Sequence, residues 1–106
     1  MFKTLFVMVL FGLASFITSA AGSYASGSIS NLTVTRSGIM IQLTSNLPDN
    51  CDGTPYGWIL VKQENTAITS VILALWVSKN TYGTFYTSGR ENGTGYCLLN
   101  QYDPTN

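Results

Sequence analysis

The sequence predicts an α+β domain, mainly β, with five strands and one helix in the order β-β-β-α-β-β. Three observations predict it. Apolar residues alternate with period two in the first half of the exported part, and one apolar stretch, Thr66 to Lys79, has helical spacing. Clusters of Gly, Pro, Asn, Asp and Ser separate the periodic segments.

The chain opens Met-Phe-Lys3, runs through an apolar stretch from Thr4 to Ile17 and reaches the small residues Thr18 to Ala21. One cation, an apolar run shorter than the roughly 20 residues that span a bilayer, and a small-residue cleavage site make residues 1–20 a signal peptide rather than a retained anchor. The protein is therefore expected to be secreted or periplasmic, with no stable membrane insertion. Residues 21–27, rich in Ser and Gly, read as a flexible lead-in, and 28–103 as a single β-rich domain.

From Ser28 to Thr35 the alternation at Leu32 and Val34 predicts a half-buried strand. Arg36-Ser37-Gly38 supplies a turn, and Ile39, Ile41 and Leu43 share one face of a second strand, so the two form a hairpin. Ser45 to Pro55 is turn chemistry throughout. Tyr56 to Val61 is continuously apolar, as suits a third strand with core on both faces. Asn65 is a candidate N-cap for the following segment.

Val71 to Val77 has strand propensity, but Ile68, Val71, Ile72 and Leu75 fall at i, i+3, i+4 and i+7, and that spacing favours a helix. Lys79 and Asn80 suit its C-terminus. Tyr82 to Thr87 alternates as a fourth strand, Ser88 to Gly95 is a turn, and Tyr96 to Leu99 is a short fifth strand before a polar tail. Five strands with a helix between the third and fourth is the element order of the OB-fold barrel, the competing arrangement being an ordinary sheet carrying one helix.

A domain of this size has only a marginal core and needs a staple. Cys51 and Cys97 are the two cysteines of the chain, and export favours their oxidation, so they are expected to form a disulfide. Beyond residue 20 the cations are Arg36, Lys62, Lys79 and Arg90, against Asp49, Asp52, Glu64, Glu91 and Asp103. Four scattered cations do not make a phosphate-binding groove, which argues against nucleic acid as a partner.

The chain has no histidine, which removes Ser-His and Cys-His nucleophiles and the usual neutral-pH base. The acids lie in turns or the tail, where solvated charge is the ordinary reading, so neither paired-carboxylate catalysis nor a metal or other cofactor is expected. Gly89, Gly93 and Gly95 lack the strand-glycine-helix context of a phosphate loop. Asn31-Leu-Thr33 and Asn92-Gly-Thr94 match glycosylation acceptors, which matter only in a eukaryotic source. Among the aromatics, Trp58, Trp76 and Phe85 read as core, because large rings bury the most area per residue. Tyr82, Thr84 and Tyr86 share one strand face, where rings beside hydroxyls can stack on a sugar or a protein while the polar groups fix orientation.

The run Tyr24-Ala-Ser-Gly-Ser-Ile-Ser-Asn-Leu-Thr-Val34, then a cysteine, the apolar strand with Trp58, the Ser70–Ser78 helix and a further strand, resembles small secreted bacterial proteins of OB-like fold. These include the glycan-binding B-subunits of pertussis-like and subtilase-type toxins, which form pentameric rings. The resemblance implies a homo-oligomeric glycan-binding module. It also implies a sugar contact at Ser26, the match for the family's serine before the first strand, with Tyr24 beside it. The family's acidic neighbour is Gly27 here, and its frequent additional disulfide has no cysteines to form it. The candidate site residues are thus Tyr24, Ser26, Tyr82, Thr84 and Tyr86. The expected function is non-enzymatic binding of a glycan or an extracellular protein. An enzyme inhibitor or envelope accessory protein acting through the 45–55 loop is the alternative.

Overall fold

A computed structural model describes residues 22–105; the signal peptide assigned to residues 1–20 lies outside them. The fold is α+β, with six strands in one mixed sheet and a single α-helix among the described residues. The strands are β1 (Tyr24–Gly27), β2 (Ile29–Thr35), β3 (Gly38–Leu43), β4 (Ile59–Lys62), β5 (Gly83–Arg90) and β6 (Cys97–Pro104). The helix α1 spans Thr66–Val77, and no helix in the described residues is long and apolar enough to cross a membrane.

Six strands replace the expected five because a further strand precedes the expected first one. Residues 24–27, expected to be a flexible lead-in, instead form β1. Its four residues pair in antiparallel register with Gly83 to Tyr86, a distant partner that the local Ser/Gly-rich sequence does not reveal. The hydrogen-bonded order is β1-β5-β6-β4-β3-β2, an open ladder rather than a closed barrel. Its two outer strands are nevertheless consecutive in the chain and joined through Ser28 alone. All pairings are antiparallel except β4 with β6, whose connection carries the helix and β5.

The hairpin forms as the sequence predicts. Ile39 and Ile41 are core and Leu43 packs against it, while Gly38 turns the chain at φ 142° with Val61 O occupying the place of any Cβ. Ile59, Leu60 and Val61 are all buried, which satisfies the expectation of core on both faces. The third strand begins three residues later than expected, because a short 3-10 turn at Pro55–Gly57 extends the loop and puts Tyr56 at φ 55° with its side chain in solvent. The last strand is longer than expected. Cys97–Pro104 gains register partners on β5 as far as Pro104, so the polar tail is strand.

The helix packs through Ile68 and Ile72; Leu75 is half-buried, and Ile72 alone in the helix is fully buried. Trp76, expected in the core, is instead 36% exposed, as is much of Val71 and Leu73. One residue on from Leu75 is a turn of about 100°, which carries the indole away from the sheet. Asn65 makes no capping bond with its side chain, its ψ of 64° being outside the extended range that N-caps adopt. The core cluster joins Ile29, Ile39, Ile41, Ile59, Val61, Ile72, Phe85 and Leu99.

Cys51 and Cys97 form the disulfide, both fully buried. Cys51 ends a 3-10 turn, Asp49–Cys51, and Cys97 opens β6, with its N–H donating to the Thr54 hydroxyl at 2.9 Å. The clip therefore fastens the 45–58 loop to the middle of the sheet. Asn50 adds a second tie. Its side-chain amide donates to Thr87 O and accepts from the Thr87 hydroxyl, while its own N–H donates to Gly22 O.

Candidate functional site

Antiparallel register decides which of the candidate residues meet. Partners across a ladder share a face, and residues two apart on one strand share it too. Tyr24 pairs with Tyr86 and Ser26 with Thr84 across β1 and β5. Across β5 and β6, Tyr86 pairs with Gln101 and Thr84 with Asp103. Six side chains thus form two rows of three on one face, Tyr24-Tyr86-Gln101 and Ser26-Thr84-Asp103. The intervening residues Ala25, Phe85 and Tyr102 lie on the opposite face, where Phe85 is fully buried and stacks on Tyr102 with centroids 4.6 Å apart.

The face is open. Tyr24, Ser26, Gln101 and Asp103 are exposed, and Thr84 and Tyr86 half-buried. The Tyr24 and Tyr86 rings lie 5.7 Å apart at 45°, and the Ser26 and Thr84 hydroxyls are 3.1 Å apart. Three strands at about 4.8 Å spacing and two residues at about 3.4 Å rise give a patch roughly 10 Å by 7 Å, the size of one or two sugar rings. Behind it the backbone is held rigidly. Gly83 packs so closely on β6 that a Cβ there would lie 2.5 Å from Asp103 O. The Tyr102 hydroxyl donates to Thr81 O at 2.7 Å, and burial raises its pKa, so it remains a donor at physiological pH.

Two tyrosines, two hydroxyls, an amide and one carboxylate combine apolar ring faces with hydrogen-bonding groups of both kinds. The rings offer apolar faces to sugar C–H groups, and the polar atoms can donate to and accept from ligand hydroxyls.

The structure brings together Tyr24, Ser26, Thr84 and Tyr86 but separates Tyr82. Expected on the same strand face, Tyr82 precedes β5 by one residue and lines a groove beside Trp76 instead. Sequence reasoning missed Gln101 and Asp103, which it assigned to a polar tail. The alternation Gln101, Tyr102, Asp103 was the available signal, and its meaning depended on the strand continuing past Leu99. Asp103 places a carboxylate at the end of the row that Ser26 begins, two strands away across Thr84. Comparison with family models, curated proteins and solved structures returned no match.

Proposed function

We propose that the chain is an exported, non-enzymatic binding module of OB-like topology that recognises glycan through the face built by Tyr24, Ser26, Thr84, Tyr86, Gln101 and Asp103. The observation that carries the reading is the register. Four residues singled out from sequence, in two segments whose partners are 58 and 62 positions apart, fall into adjacent rows with a carboxylate and an amide completing them. The OB-like topology is supported by counting β1 and β2 as one bent strand. The order then becomes 1-4-5-3-2-1, with the third and fifth strands parallel. The buried disulfide suits an oxidising compartment. Assembly with further copies is supported by the apolar surface that α1 leaves exposed at Val71 and Leu73.

The test is a glycan array on the folded, disulfide-bonded protein, followed by titration of the best ligand. Tyr86→Ala and Asp103→Asn should each weaken binding about tenfold or more, in line with the loss of one stacking ring or one charged hydrogen bond. Both should leave the melting temperature near the parent's. Absence of binding to every glycan removes the reading.

A second reading, an inhibitor or envelope accessory protein, is favoured by the rigidity of the 45–55 loop, pinned by Asn50, Cys51 and Thr54 while Asp49 and Asp52 stay exposed. A stoichiometric protein complex that is lost in Asp52→Ala and kept in Tyr86→Ala would select it.

A further inference from the structure

We propose that the groove between the end of α1 and the start of β2 is a second binding site, separate from the tyrosine face, for small carboxylates with a flat apolar body. The groove is open to solvent along one side and offers about 740 Å³, within the range of small-molecule sites. Its walls include Trp76, Val77 and Tyr82, residues that are 36%, 80% and 52% exposed. Ser28 and Ser30 supply hydroxyl-bearing residues on the opposite wall, and Lys79 is the one charged residue of the lining. Two aromatic side chains and a valine favour a flat apolar body, and a single ammonium with neutral hydrogen-bonding neighbours favours a single anionic group.

The site is preformed. At its base Ile29 N–H donates to the buried Thr81 hydroxyl at 2.9 Å, and Thr81 O accepts from the Tyr102 hydroxyl. These bonds fix the 79–82 segment to the sheet before any ligand arrives.

The conformation of Lys79 is the second, independent observation. The helix ends in a Schellman arrangement, with Asn80 N–H donating to Leu75 O and Lys79 N–H to Trp76 O. This places Lys79 at the left-handed position, with φ 60°, where glycine is most at ease and asparagine next. A lysine there costs more than glycine would, and it puts the one charged residue of the lining at the rim of the groove. The negative end of the helix dipole lies nearby and opposes an anion, so the Lys79 charge must outweigh it; the carbonyls of Ala74, Leu75 and Trp76 are engaged by the N–H groups of Ser78, Asn80 and Lys79.

Indole-3-acetate, with its neutral isostere indole-3-acetamide, is the probe, and amide chemical shifts together with calorimetry are the readout. Saturable shifts are expected around Trp76, Lys79, Tyr82 and Ser28, with the amide bound at least tenfold more weakly. Lys79→Gly should lose tenfold or more in affinity while melting at or above the parent's temperature, because it relieves the left-handed strain. Lys79→Gln tests the charge alone and should show the same loss. Equal binding of acid and amide, unchanged affinity in both variants, or no saturable shifts at millimolar probe would each overturn the proposal. Glycan binding at the tyrosine face is unaffected in every case, so the two sites are tested separately.

Discussion

Asn50 shows how one polar side chain decides the position of a loop. It sits in the disulfide-bearing segment yet makes its side-chain bonds to Thr87 of β5, where the Thr87 hydroxyl is buried and its other acceptor, Ser23 O, lies at 3.3 Å. Asn50→Ala removes both bonds and leaves buried Thr87 groups short of partners, a loss of about 2 kcal/mol. Urea denaturation should show it as a lower midpoint with an unchanged slope. Nothing near Asn50 in sequence signals this role, since it stands among turn residues that all read alike. Lys79 makes the complementary point. Lysine near a helix end reads as a response to the dipole, but only the backbone reveals that it occupies the left-handed position itself rather than leaving it to Asn80.

Pairing between elements is tightened at the rim of the sheet by the ion pair of Lys62, the last residue of β4, with Glu91, which follows β5. The hydrogen bond from Lys62, helped by one from the Thr94 hydroxyl, holds the Glu91 carboxyl below its ordinary value of 4.5. The hydrogen bond to Glu91, and then the carboxylate's charge, raise Lys62 above 10.5. The signs follow from linkage. The stabilisation from Glu91 is present above its unfolded pKa and is lost as pH falls through the lower folded value. That from Lys62 is whole below 10.5 and is lost as pH rises through the higher folded value. The difference in melting temperature between the parent and Glu91→Gln should therefore be constant from about pH 5 to pH 10 and shrink on either side. High salt should reduce it, because both side chains are partly solvated. The hairpin and the helix, by contrast, follow from local pattern alone. Ile39, Ile41 and Leu43 at period two, and Ile68 and Ile72 at helical spacing, are the residues that face the core.

Across the whole molecule the disulfide links positions 46 apart and so joins the loop to the final strand. Closing a loop of that length stabilises by about 4 kcal/mol in the chain-entropy model, a large part of what a domain of this size has. Denaturation with and without reductant should differ by that amount, and a reduced protein that kept the full midpoint would remove the disulfide's structural role. Most element types, the disulfide and the shared face of Thr84 and Tyr86 were legible in the residues, because propensity, periodicity and cysteine chemistry act over short stretches or through a unique pair, whereas Tyr24 and Ser26 were singled out by the resemblance alone. The strand at Tyr24–Gly27, the strand character of Gln101 and Asp103, the place of Tyr82 in the groove lining and the exposure of Trp76 were not. Each depends on which distant backbone a segment pairs with or packs against. The flexible-looking Tyr24–Gly27 becomes a strand only because Gly83 to Tyr86 is there to receive its hydrogen bonds.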